Sequence, residues 1–146
     1  MGIEFEQTKS IRSDPEVIWE LLERPEKWSS WWPECVAARA TDDRALREGS
    51  RLELVVQPVR MRWTLRPTVD LLTEGRTLSL THRSAFLQTS FGWYLQERPD
   101  ATLVKGEVVA NGLGPFLVTI AQQSSLVRIT VQRNLRALKR AAERLV

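Results

Sequence analysis

The chain changes its hydrophobic period once, and that change governs what it can fold into. After Asn111-Gly112-Leu113-Gly114-Pro115, apolar residues recur at steps of three and four: Phe116, Ile120, Val127, Val131, Leu135, Leu138, Ala142 and Leu145, with Ser124 in the same series. Such spacing places them on one face of an α-helix. Pro115 suits a first helical turn, and the face runs for about eight turns at 3.6 residues per turn. Arg128, Arg133, Arg136, Lys139, Arg140 and Arg144 occupy the other side. The stretch 126–131 is rich in β-branched residues, which marks a place for a kink or a late helix start. A face this long has to be covered, and nearly everything before it is patterned as strand.

The first strand alternates Ile3, Phe5, Thr8 and Ile11 with charged residues. Ser13-Asp14-Pro15-Glu16 then signals a helix start, with Ser13 or Asp14 as cap and Glu16 completing a capping box. Val17, Ile18, Leu21 and Leu22 bury one face of that helix, which stops before Pro25. A second short helix is predicted over 25–31, with Trp28, Trp31 and Trp32 crowded at its end and Pro33 closing it. Extended segments follow at 35–41, at 51–57 through Leu52, Leu54 and Val56, and at 61–69 through Met61, Trp63, Leu65 and Val69. Glu74-Gly75-Arg76 is a turn before Leu78 and Leu80. A looser stretch at 84–90 leads to Trp93 and Leu95, and Arg98-Pro99-Asp100-Ala101 turns into Val104, Val108 and Ala110. These are about seven short strands at hairpin spacing, an antiparallel meander. The predicted fold class is α+β: a curved antiparallel sheet around a long C-terminal helix, with two short helices after the first strand. Residues 1–146 are expected to form a single domain, which fits the length.

Composition narrows the function. The chain has 21 Lys+Arg against 18 Asp+Glu, a net charge of only +3, so a nucleic-acid footprint is not expected. The single cysteine, Cys35, excludes an intrachain disulfide and a multi-cysteine metal site, and is expected to be a buried thiol. No stretch reads as a signal peptide or a transmembrane segment, so a cytoplasmic location is expected. Flavin, nucleotide and zinc signatures are absent, and no cofactor or metal is expected. An exposed edge strand would favour a homodimer. The six tryptophans are the unusual feature, because aromatic rings bury large areas and line binding sites.

Val17-Ile18-Trp19-Glu20-Leu21-Leu22, then Pro25-Glu26-Lys27-Trp28 and Trp31-Trp32-Pro33, resemble the START-like (SRPBCC) superfamily, and more narrowly its polyketide cyclase/dehydrase branch. Glu48-Gly49-Ser50-Arg51-Leu52, Thr68-Val69-Asp70 and Leu135-x-x-Leu138-Lys139-x-x-x-Glu143 agree with it. The resemblance covers nearly the whole chain. It implies a helix-grip fold with a cavity between the concave sheet and the long helix. The activities it implies differ widely, from lipid or hormone binding to aromatic polyketide cyclisation and quinone handling, so fold transfers better than function. The chain departs from the pattern at Ala101-Thr102, where relatives often carry glycine-threonine. It departs again at Pro67, which cannot donate a ladder hydrogen bond and so marks a bulge or free edge in the fourth strand.

Period-two logic selects the cavity face. With Val69 inward, Trp63, Leu65 and Pro67 share its face. Leu52, Leu54 and Val56 follow, as do Leu78, Leu80 and His82, and then Trp93, Leu95, Val104, Gly106 and Val108. This register leaves Lys105 and Glu107 in solvent, whereas a slip of one residue would bury both. Trp63 and Trp93 are the expected aromatic pair of the pocket, and Gly106 either leaves room for ligand or marks a bulge. On the helix, Phe116 and Ile120 are expected to close the cavity, and the Ser124 hydroxyl either fixes a ligand's polar atom or bonds its own backbone. The expected ligand-binding set is therefore Leu54, Val56, Trp63, Leu65, Leu80, His82, Trp93, Leu95, Val108, Phe116, Ile120 and Ser124. His82 is the one weak catalytic candidate, either a proton carrier or a structural histidine.

The expected function is binding of a small hydrophobic or aromatic molecule, of lipid, polyketide or isoprenoid type, as the chain's partner. The alternative is a polyketide cyclase/dehydratase-type enzyme in the same cavity, which would require a polar group paired with His82. A third reading is a protein-interaction or stress-response domain. It would require a filled cavity and several of Trp28, Trp31 and Trp32 exposed.

Overall fold

A computed structural model describes residues 2–42, 44–57, 60–85, 87–114, 118 and 121–145. Phe116, Ile120 and Pro115, expected at the start of the long helix, lie outside the described residues. Eight strands and three α-helices are described: β1 (Gly2–Ile11), α1 (Pro15–Leu22), α2 (Trp28–Trp31), β2 (Cys35–Ala40), β3 (Leu52–Val56), β4 (Trp63–Leu65), β5 (Thr68–Thr73), β6 (Thr77–Arg83), β7 (Leu87–Glu97), β8 (Thr102–Gly112) and α3 (Ser124–Arg144).

Strands β1-β8-β7-β6-β5 form one antiparallel sheet and β2-β3-β4 another. The two are stitched where β3 meets the start of β5. There the Leu52 N–H donates to Pro67 O at 2.9 Å, and the Val69 N–H donates to Ser50 O at 2.8 Å. The segment 61–69, expected as one strand, is broken at Arg66-Pro67 into β4 and β5, which accounts for the eighth strand. Proline has no N–H for a ladder, but its carbonyl still accepts, so the chain changes sheets at this residue. Gly75, at φ +75°, makes the turn between β5 and β6 that Glu74-Gly75-Arg76 predicts.

Helix α3 lies across the concave face. Val131, Leu135, Leu138 and Ala142 of the 3-and-4 series are buried, with Asn134 beside them, whereas Leu145 at the end of the series is exposed. The predicted helix is interrupted, close to where the β-branched stretch marks a kink or a late start. A turn at Gln123 (φ −98°, ψ 17°) separates α3 from the helical residues described before it. Ser124 is thus the first residue of α3 and not a hydroxyl in the middle of an apolar face.

The other end of α3 is tied down by polar contacts. Of the two cap candidates Ser13 and Asp14, Asp14 holds the N-cap position of α1, without a side-chain bond. The Ser13 hydroxyl instead donates to Ala142 O at 3.1 Å. The Arg12 N–H and Lys139 Nζ both donate to Glu143 Oε2, at 2.9 and 2.7 Å. Chiefly through the Lys139 bond, the Glu143 carboxyl is held below its ordinary range.

The tryptophans explain how the short helices attach. The last carbonyls of an α-helix have no intrahelical partner. In α1, Leu22 O accepts from Trp28 Nε1 at 3.0 Å and Leu21 O from Trp31 Nε1 at 3.2 Å. Trp28, Trp31 and Trp32 are buried and pack around Trp93 of β7, with ring centroids 5.5, 6.4 and 5.9 Å from it. Trp93 is fully buried, and its indole N–H donates to Asn134 Oδ1 of α3 at 2.8 Å. This cluster joins α1, α2, β7 and α3.

Cys35 begins β2 and is buried. Burial pushes its thiol up to about 11 from the ordinary 9.0, with a backbone bond at Ala37 opposing the shift. On raising the pH the unfolded chain ionises this thiol first. The thiol's contribution to stability is therefore complete below pH 9.0 and is lost as the pH rises towards about 11. Between those values the slope is at most about 1.4 kcal/mol per pH unit. Urea titrations at both ends of the window should show a steeper loss for the wild type than for Cys35→Ala.

Candidate ligand cavity

A cavity of about 350 Å³ opens between the N-terminal half of α3 and the sheet. Leu54 and Val56 of β3, Leu65 of β4, Pro67, Leu80 and His82 of β6, Thr89 and Phe91 of β7, and Val108 of β8 form its sheet wall. Leu126, Val127, Thr130 and Val131 form the helix wall, with Trp32 and Glu34 completing the lining. Strand register explains why these residues share a face. Leu54 is opposite Leu65, Leu80 opposite Phe91, His82 opposite Thr89 and Phe91 opposite Val108, and directly paired residues point to the same side.

Six residues of the expected ligand set therefore line one space: Leu54, Val56, Leu65, Leu80, His82 and Val108. The other described members lie elsewhere. Trp93 sits inside the tryptophan cluster, and Leu95, two residues further along the same face, is buried in the core. Trp32 and Phe91 stack with centroids 5.6 Å apart and an interplanar angle of 17°, and both also contact Trp93. This pair is the cavity floor, and Trp93 lies beneath it.

Trp63 is opposite Val56, so its predicted face is right. It nevertheless sits at the tip of edge strand β4, is 53% exposed and does not line the cavity. Periodicity gives a face but not a distance from the covering helix. Trp63→Ala should change stability by less than about 0.5 kcal/mol, as surface substitutions do. A urea midpoint close to that of the wild type checks this. Ser124, half-buried at the first turn of α3, is likewise off the cavity wall.

Gly106 leaves no room for ligand. A Cβ placed there would meet Val131 Cγ1 at 3.1 Å and Leu135 Cδ2 at 3.3 Å, so side chains of the helix already fill the space above the glycine. Sequence reasoning also passed over Thr89 and Phe91, because the polar run at 88–90 hid the first half of β7. Val127 and Val131 belong to the helical series but were not assigned to the site.

Polar groups on the wall are few. His82 Nδ1 accepts from the Arg66 backbone N–H at 3.3 Å. Among the described residues, no carboxylate or hydroxyl hydrogen-bonds to it. The Thr130 hydroxyl donates to Leu126 O within its own helix at 2.9 Å. Glu34, to which the sequence analysis assigns no role, is only 6% exposed. Its Oε1 lies 3.9 Å from Nη1 of Arg133, a loose pair with a largely exposed partner. The nearest sequence signal was position: Glu34 follows Trp31-Trp32-Pro33 directly and precedes an inward strand residue.

The family described as polyketide cyclase/dehydrase and lipid transport matches residues 2–143. The chain belongs to that family. Solved structures show the same helix-grip fold at low identity. A START superfamily protein from Mycobacterium smegmatis superposes with TM-score 0.75 at 18% identity, over 98% of this chain and 99% of that one. The major latex-like protein 151 of Panax ginseng gives 0.75 at 13%, over 94% and 97%. The di-domain ARO/CYC StfQ from the steffimycin biosynthetic pathway gives 0.81 at 14%, over 99% of this chain and 52% of that one. No curated protein matches the chain. In this member of the family, no helix among the described residues is long and apolar enough to cross a membrane.

Proposed function

We propose that the chain binds a small, flat apolar or aromatic molecule in the cavity between α3 and the sheet. The observation that carries this reading is an apolar cavity left open within an otherwise packed core. At about 350 Å³ it falls in the range, roughly 300–1,000 Å³, of sites that take small molecules. The stacked Trp32–Phe91 pair contributes aromatic surface to its lining, which suits an apolar or aromatic ligand. The family's description and the pathway of the ARO/CYC relative are consistent with such a ligand.

The geometry favours binding over catalysis, since the one side-chain hydrogen bond of His82 among the described residues is to a backbone amide. The interaction-domain reading also lacks its conditions. Trp28, Trp31 and Trp32 are buried, and the cavity is open.

Native mass spectrometry of the protein purified from its own host should show an apolar adduct. Val127→Trp puts a ring into the cavity from a half-buried helix position. It should remove the adduct and weaken binding of naphthalene at least tenfold, about 1.4 kcal/mol, with the thermal midpoint little changed. The absence of both an adduct and naphthalene binding would overturn the proposal.

A further inference from the structure

Of the four indoles gathered in the tryptophan cluster, three are satisfied. Trp28, Trp31 and Trp93 donate to Leu22 O, Leu21 O and Asn134 Oδ1 at 3.0, 3.2 and 2.8 Å. The fourth, Trp32, is the one that lines the cavity, and its buried Nε1–H has no partner among the described residues. Glu34 lines the same cavity from the other side of Pro33. Its Oε2 is buried and also unpartnered among the described residues. The remaining atom of this kind, Asn134 Nδ2, belongs to a residue off the cavity wall. Burying a donor or an acceptor without a partner is costly, and an apolar side chain would fill either place without that cost. Unpartnered polar groups on residues that line a cavity are what a specific ligand contact can satisfy.

We propose that Trp32 and Glu34 are the polar end of the ligand site, and that the ligand is an apolar molecule carrying a hydroxyl group. The hydroxyl hydrogen goes to Glu34 Oε2, and the hydroxyl oxygen accepts from Trp32 Nε1–H. A hydroxyl is the smallest group that donates and accepts at once. A ketone or ether satisfies Trp32 and leaves Glu34 unpaired. A carboxylate ligand has no hydrogen to donate to Glu34 Oε2. Discrimination thus comes from what is left unpaired as much as from what is bonded. This inference rests on the cavity being the ligand site.

Isothermal titration with 2-naphthol and naphthalene tests it. The two share one ring system, and naphthalene is the more apolar. The wild type should bind 2-naphthol about tenfold tighter or better, the size expected of a hydrogen-bonded hydroxyl. Glu34→Met and Trp32→Phe should each abolish most of that preference, read as the ratio of the two ligands' affinities within the same variant. Glu34→Met should also raise the thermal midpoint, because it removes a poorly paired buried carboxyl.

Equal binding of the two ligands by the wild type overturns the polar end and leaves the cavity reading intact. Failure of both to bind overturns both. A Glu34→Met protein with a lowered midpoint and an unchanged naphthol preference assigns Glu34 a structural role and also overturns the inference. The comparison of ligands on the wild type needs no variant to fold.

Discussion

Trp93→Ala is expected to cost about 3–5 kcal/mol, the usual range for removing a large aromatic from a core. That is a large share of the roughly 5–15 kcal/mol that keeps a domain folded. The residue is fully buried, and Phe91, Trp28, Trp32 and Trp31 surround it at centroid distances of 4.6 to 6.4 Å. Tilted and edge-on aromatic pairs of this kind add to simple area burial. The substitution also strips Asn134 Oδ1 of its donor inside the core. Four large rings cannot collapse into the space without leaving their own contacts. Trp93→Phe separates the effects, since it keeps a ring but orphans Asn134, and should fall between alanine and wild type. Urea unfolding followed by far-UV circular dichroism gives both numbers. A loss under about 1 kcal/mol for the alanine variant would mean that the rings repack, against the usual behaviour of cores.

Gly106→Val should be the second most damaging change, although it adds apolar atoms to an apolar interior. The Cβ alone would sit 3.1 Å from Val131 Cγ1 and 3.3 Å from Leu135 Cδ2. Both neighbours lie on the buried face of α3, with 1% and 2% exposure, so neither can swing into solvent. The helix must lift off β8, and overpacking of this sort costs about 1–3 kcal/mol or more. The sign can be checked by relief: Gly106→Ala combined with Val131→Ala should be more stable than the sum of the two single changes predicts. Additive losses would show that the close approach is not what selects glycine.

The sequence made some of this legible for reasons that can be stated residue by residue. The 3-and-4 series located the buried face of α3 at Val131, Leu135, Leu138 and Ala142, because a long amphipathic helix has only one way to hide its stripe. Alternation placed Leu54, Val56, Leu65, Leu80, His82 and Val108 on one face, because the pleat leaves no choice. It could not place Trp63 at the rim or Trp93 below the floor, since position along a face depends on which element covers it. Glu34 escaped because a charged side chain is normally solvated, and its burial follows from where the short helices dock. Gly106 read ambiguously for a similar reason. Only the helix resting on it shows which of its uses applies.

The aromatic cluster and the cavity divide the space under α3 between them. The clamp at Glu143 and the rings around Trp93 hold one end, while the open volume lies beneath the Leu126–Val131 segment of the helix. Residues that decide whether the chain folds are thus largely different from those that decide what it could hold. Substitutions at Leu54, Val56, Leu65 or Val127 can reshape the chamber while the knot of rings stays intact. A scaffold divided in this way can diverge in ligand through its open end, generation after generation, without first having to regain a stable fold.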